Sequence, residues 1–136
     1  MSAEKQAIAQ SFAHFNSGNL AECFKLYDER VVLHGYGPKP IGFDGCKASY
    51  TGLKNAFPDG NVVIEEAVQE GDKVAIIWAM TGTHKNEFMK IPATGRSIVL
   101  KGHSVFRFAG GKVVERWNTG DVISLLIQLG AFTPPG

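Results

Sequence analysis

Residues 97–108 alternate between two kinds of side chain, and this alternation constrains the chain more than any other feature. Ile98, Leu100, Gly102, Ser104, Phe106 and Phe108 fall on one face, and Lys101, His103 and Arg107 fall on the other. A period of two sustained over such a run describes a long, curved strand with one buried face, taken here as the more apolar one. Gly110-Gly111 is the glycine pair of a tight hairpin leading into a further strand over residues 112–119. Upstream, residues 62–68 and 74–80 are strand candidates joined at Gly71-Asp72. The second of these is apolar throughout, which predicts a strand covered on both faces.

Before this meander the spacing is helical. Ile8, Phe12 and Phe15 predict a first helix ended by Gly18. Asn19 with Glu22 reads as a capping box opening a second helix, with Leu20, Phe24 and Tyr27 on its apolar face. Residues 31–36 look like a first strand. Asp44 is expected to cap a third helix that buries Cys46, Tyr50, Leu53 and Phe57 and stops at Pro58. Asp121 starts a closing helix striped with Val122, Leu125, Leu126 and Leu129 and ended by Gly130. Ile123 and Ile127 lie off that stripe, so a second protomer is the expected cover: a homodimer through the convex sheet face, or a homotetramer. Helices first and a meander after give an α+β class, and residues 1–136 read as a single domain.

Composition removes several function classes. Fourteen Lys plus Arg against thirteen Asp plus Glu leave a net charge of +1 with no basic stripe, which argues against a nucleic-acid partner. No apolar run approaches the ~20 residues of a membrane span, and the first residues do not resemble a signal peptide, so a soluble cytoplasmic protein with no membrane partner is expected. Cys23 and Cys46 are expected to be buried, reduced thiols. His14, His34, His84 and His103 lack metal-ligand spacing, and no glycine-rich phosphate loop or nucleophile elbow is present. Neither a metal nor a nucleotide cofactor is therefore expected. Glu65, Glu66, Glu70 and Asp72 read as a solvated hairpin edge.

Four segments are recognisable. Residues 88–96, FMKIPATGR, resemble an aromatic-x-x-Ile-Pro-x-Thr-Gly-Arg loop. Residues 105–108 followed by 111–115 resemble a Phe-Arg-x hairpin. Asp121 with Leu125-Leu126-x-Gln128-Leu129-Gly130 resembles a C-terminal signature, and Phe15-Asn16-x-Gly18 fits a first-helix end. Together they cover nearly the whole chain, and the sequence resembles the SnoaL-like polyketide cyclases of the nuclear-transport-factor-2-like (cystatin-like α+β) superfamily. The resemblance implies a cone: a strongly curved, mainly antiparallel sheet packed on N-terminal helices around an apolar cavity. It also implies an enzyme of the isomerase or lyase class, without metal or organic cofactor, that closes a ring in a polyketide-like ligand through an enolate and an intramolecular aldol step. The fold also hosts isomerases, dehydratases, epoxide hydrolases, non-catalytic binders of apolar small molecules and an interaction module, so those alternatives stay open.

The resemblance assigns the site as follows. Asp121 matches the family's acid/base, although Asp before an apolar helix is also an ordinary N-cap. A cap lowers a carboxylate pKa, whereas an apolar cavity raises it. Ser104 aligns where the family's studied cyclases tend to have His; it can donate to an enolate oxygen but cannot shuttle a proton near neutral pH. His103 could take that role only if a bulge shifted the register by one residue; otherwise it is a surface or interface residue. His34 is the candidate second polar group, the alternative being a core-edge histidine with a backbone partner. Phe15, Tyr36, Ser49, Trp78 and Asn118 are expected around the substrate, Tyr36 and Asn118 with polar ends and the others as wall.

Overall fold

The computed structural model describes residues 2–135. Ser2 opens α1 (Ala3–Asn16) by accepting a hydrogen bond from the Lys5 N–H at 3.1 Å, and the helix buries Ile8, Phe12 and Phe15 as their spacing predicts. Gly18, at φ +84°, turns the chain out of it. Asn19 then accepts from the Glu22 N–H at 3.4 Å, but the Glu22 carboxylate turns to Lys25 at 2.7 Å, so only half of the capping box forms. The helix that follows, α2 (Leu20–Cys23), lasts one turn and runs into a 3₁₀ turn (Phe24–Leu26). Tyr27, expected on a helix face, instead begins β1 (Tyr27–His34), where ladder pairing overrides helical spacing. The third helix, α3 (Phe43–Ala56), begins before Asp44. Its cap is Gly42, without a side-chain bond, and Asp44 sits in the first turn, where its charge complements the helix dipole.

The meander then runs through β2 (Asn61–Glu70), β3 (Lys73–Thr83), β4 (Ser97–Ala109) and β5 (Lys112–Gly120) before α4 (Val122–Gln128) closes the chain. All five strands form one curled sheet in the order β1-β5-β4-β3-β2, antiparallel except where β1 pairs with β5 in parallel. Bulges between Ile64 and Glu66 in β2, and opposite Arg107 and Phe108 in β5, add to the bend. The alternation of β4 is as expected: Ile98, Leu100, Gly102, Ser104, Phe106 and Phe108 are buried against the helices. The β3–β4 register is unbroken through Ile77↔His103, so no bulge turns His103 inward, and it is exposed on the outer face. The same face corrects the expectation for β3. Ile77 is 41 % exposed, so this strand is covered on one face only within a single chain. Cys23 and Cys46 are buried free thiols, and burial pushes Cys46 up to about 12. Among the described residues no helix is long and apolar enough to cross a membrane.

Two side-chain amides complete the sheet where strands are missing. Asn16 bonds both backbone groups of Val62 on the free edge of β2, at 2.7 and 3.0 Å. Gln128 does the same to Val99 of β4, at 2.8 Å in each direction. The β4–β5 ladder ends at Gly102↔Gly120, so Val99 has no strand on that side and the Gln128 amide takes its place. Arg96 donates to the Gln128 carbonyl at 3.1 Å, and the Thr94 N–H donates to His84 Nδ1 at 3.2 Å. Replacing Gln128 with Ala should therefore lower unfolding free energy by about 1–2 kcal/mol in urea denaturation, the worth of two modest hydrogen bonds. A loss below about 0.5 kcal/mol would show that solvent substitutes for the clamp.

Candidate active site

Strand β5 carries the sheet's alternation into the interior. Glu115, Trp117 and Thr119 look outward, and Arg116, Asn118 and Gly120 look inward. Arg116 is consequently buried, with 5 % of its surface exposed. One guanidinium nitrogen donates to the hydroxyls of Tyr27 at 2.7 Å and Tyr50 at 2.8 Å. The other donates to Ser104 Oγ at 2.9 Å and Asn118 Oδ1 at 3.1 Å. Its Nε is buried with no partner, and the ring centroid of Phe106 lies 4.6 Å from Cζ. No carboxylate lies within ion-pairing distance of Arg116 among the described residues. Burial works against this charge, but the oxygens of Tyr27, Tyr36 and Tyr50 outweigh it and hold the guanidinium above its usual pKa. The same burial pushes all three phenols up, so they are neutral donors at any physiological pH.

Around this cation the polar side chains form one network. Trp78 Nε1 donates to Ser104 Oγ at 3.1 Å, and Ser104 donates to Asn118 Oδ1 at 2.7 Å. The Tyr27 and Tyr50 hydroxyls are 2.6 Å apart, so one donates to the other. The network forms one end of a cavity of about 540 Å³, within the range of small-molecule sites. Its walls include Tyr36, Tyr50, Leu53, Trp78 and Leu100, with Phe88 and Met89 of the loop before β4 at the rim. Gly102 makes room for the indole of Trp78, because a Cβ there would collide with the ring. Gly35, at φ +90°, lets the end of β1 press against the backbone of Asn118 and leads into Tyr36.

A family model described as SnoaL-like polyketide cyclase matches residues 6–129. The chain belongs to the SnoaL-like polyketide cyclase family. Solved structures agree. IdmH, a candidate polyketide cyclase from Streptomyces antibioticus, superposes with TM-score 0.81 at 31 % identity, covering 93 % of this chain and 98 % of its own. AclR, a candidate hydroxylase from Streptomyces galilaeus, gives TM-score 0.88 at 27 % identity, covering 96 % and 97 %. A candidate polyketide cyclase from Acidithiobacillus ferrooxidans gives TM-score 0.80 at 29 % identity, covering 95 % of each chain. No curated protein sequence matches significantly.

The SnoaL-like scaffold separates the residues that the sequence brought together. Tyr36, Ser49, Trp78 and Asn118 line the cavity, Ser49 from its exposed rim. Ser104 sits at the centre of the inner network. Phe15 is buried in the core with its ring 5.8 Å from that of Tyr50, so it backs the cavity rather than lining it. His34 lies on the outer face, its Nε2 donating to the Glu115 carboxylate at 2.7 Å and its ring stacked on Trp117 at 5.4 Å; its partner is a side chain, not backbone. Arg107 holds the other Glu115 oxygen at 3.1 Å, and these two contacts keep the Glu115 carboxyl below its usual pKa, the His34 bond contributing most. Asp121 is exposed. Its carboxylate accepts from the Ser124 N–H at 3.0 Å as the cap of α4, and it shares a separate, more open depression of about 510 Å³ with Lys101, His103 and Thr119. Its neighbours Gly120 and Val122 line the inner cavity, so Asp121 stands on the rim between the two hollows. No group of His, Cys, Asp and Glu among the described residues is arranged to hold a metal ion.

Arg116, Tyr27 and Tyr50 are the site residues that sequence reasoning did not single out as polar chemistry. The available signal was Asn118, read as inward-facing: in a strand, the residue two positions earlier shares its face. The geometry of Asp121 yields a stability test. Asp121→Ala should cost about 1 kcal/mol through loss of the cap, and Asp121→Asn should stay within about 0.5 kcal/mol because Asn caps equally well. Equal losses in urea denaturation would show that the charge, not the cap, is what the fold uses.

Proposed function

We propose that this SnoaL-like domain is an enzyme that closes a ring in a polyketide-like substrate by an aldol-type step, without metal or organic cofactor. The observation that supports this most is the buried guanidinium of Arg116, which has no carboxylate partner, at the end of an apolar cavity. A carbon between two carbonyls needs only a base and a donor to form an enolate. A fixed cation, with phenol and amide donors beside it, stabilises the negative oxygen that develops, and does so most strongly where water is excluded. The cavity walls hold the two ends of one chain together, which converts ring closure into a pre-oriented unimolecular step.

In this reading Asp121 takes the proton from carbon. Leaving its cap costs about 1 kcal/mol, and its place between Gly120 and Val122 gives the carboxylate a route to the cavity mouth. The enolate carbon then attacks the second carbonyl, and the alkoxide formed recovers a proton from Asp121. Ring closure alone is an isomerisation; loss of water afterwards makes the overall reaction a condensation. The Streptomyces relatives carry different descriptions, cyclase and hydroxylase, so the fold alone does not choose the reaction.

Hydrogen–deuterium exchange at the central carbon of an aryl 1,3-diketone, followed by NMR in D2O, tests the enolate step directly. The wild type should accelerate exchange, and Arg116→Gln and Asp121→Asn should each lower kcat by about 10²–10³-fold, with KM nearly unchanged for Asp121→Asn. Exchange no faster than in buffer would overturn the enzyme reading. One observation favours the alternative, a non-catalytic binder: among the described residues no Asp, Glu, His or Lys side chain lines the inner cavity. Binding without exchange would establish it.

We further infer a homodimer. Val32, Ile77, Val99 and Trp117 on the outer sheet face, with Ile123 and Ile127 of α4, are each at least 38 % exposed. They are interspersed with Arg107, Glu115, Lys101 and Asp121, charges of both signs that suit a self-complementary twofold contact. Sedimentation velocity should give twice the chain mass, and Trp117→Glu should return it to one; a monomeric wild type at tens of micromolar would refute the dimer.

A further inference from the structure

We propose that the inner cavity takes its ligand as an anion, a compact and largely apolar molecule bearing a free carboxylate, whose oxygens accept from Tyr50 and Asn118 in front of the Arg116 charge. This deepens the reading of the cavity as a substrate site and rests on it.

The argument is an accounting of charge and of donors. The groups around Arg116 are Tyr27, Tyr36, Tyr50, Ser104, Asn118, Phe106 and the two cysteines, and none is negative. Burial keeps the phenols and thiols protonated. The neutral oxygens hold this cation in place but leave its charge unpaired, and a ligand of opposite charge pairs it. The hydrogen bonds are unbalanced in the same direction. The four terminal guanidinium bonds, the indole N–H and the serine hydroxyl all spend their protons on Tyr27, Tyr50, Ser104 and Asn118 oxygens. That leaves the Nε of Arg116 unpartnered. Of the two phenol protons shared by Tyr27 and Tyr50, their mutual bond uses one. The other has no protein acceptor, and Tyr50 is the member of the pair that lines the cavity. The Asn118 oxygen accepts twice, so the amide NH2 is left as a donor at the same end. The terminal guanidinium N–H groups are spent and Nε is buried, so the donors left for a ligand are the Tyr50 hydroxyl and the Asn118 amide, and with the unpaired charge of Arg116 behind them they call for an acceptor that is itself negative.

The proposal has a consequence for reaction order. A substrate bound through its free carboxylate cannot still be joined to a carrier or alcohol through that carbon, so a hydrolytic reaction that releases the acid must precede this step.

Isothermal titration calorimetry with matched probes tests the proposal in the unaltered chain. 2-Naphthoate supplies the carboxylate, and 2-naphthamide and methyl 2-naphthoate supply neutral molecules of nearly the same shape. Naphthoate should bind at least about tenfold more tightly than either neutral probe. Arg116→Gln should erase that preference while changing amide binding little, and Arg116→Lys should restore part of it. Circular dichroism of each variant establishes that it is folded, and the wild-type comparison decides the question if one is not. Equal or tighter binding of the neutral probes would overturn the anionic ligand but leave the cavity as a binding site. Binding of none of the three to folded wild type would overturn both.

Discussion

The interaction on which this molecule turns is a guanidinium held in a low-dielectric interior by neutral oxygens and an aromatic face. Removing a charge from water costs several kcal/mol even after relaxation, and a carboxylate partner is the usual compensation. Here the compensation is distributed. Tyr27 from β1, Tyr50 from α3, Ser104 and Phe106 from β4 and Asn118 from β5 each supply part of it. Four separate elements must therefore be in register before Arg116 is satisfied. The charge thereby acts as a check on the curled arrangement of the sheet against α3.

The two faces of the sheet divide the chemistry. The inner face presents a cation and neutral donors. The outer face presents His34, Glu115, Arg107 and His103, with Asp121 at its edge, so the carboxylates and imidazoles lie on that side. A strand offers its side chains alternately to the two sides, so a shift of one residue would exchange these sets completely. Asp121 is where the division weakens, because the strand ends at Gly120 and the helix begins at Val122, and both flanking residues reach the cavity.

Much of the fold was legible because the core is written in simple periods. The alternation of residues 97–108 placed β4 and its inward face correctly, and the spacing of Ile8, Phe12 and Phe15 placed α1. Tyr27 reads as helical because Leu20, Phe24 and Tyr27 satisfy helical spacing locally, while the parallel pairing with Val113 that claims Tyr27 is distant in sequence. The cover expected over both faces of β3 was misjudged for a related reason: Ile77 is apolar, but a single chain supplies nothing to lay on it. The site was less legible than the fold. Asn118 and Trp78 reach the cavity from strand faces that alternation identifies, and Ser49 from α3; Tyr36, expected in the first strand, reaches it from the loop after β1, which ends at His34. His34 and His103 attracted attention by residue type, yet alternation sends both outward. Arg116 is not legible as a site residue because a charged residue in a hairpin strand ordinarily signals the solvated face.

Several residues in the segments that carry the family likeness hold the architecture together. Asn16 and Gln128 each act as a one-residue strand, bonding both backbone groups of Val62 and Val99. Arg96 ties the loop before β4 to the end of α4, and Thr94 is fastened to the buried ring of His84. These contacts close the cone and fix the rim from which Phe88 and Met89 face the cavity. A protein that keeps them keeps the hollow, whatever stands on its inner surface. The reaction is then decided by a few inward positions on β1, β4, β5 and α3 that no motif marks. In this chain those positions hold a cation and its attendant hydroxyls, which makes the sign of the charge beside the cavity the property that most narrows what the pocket can accept.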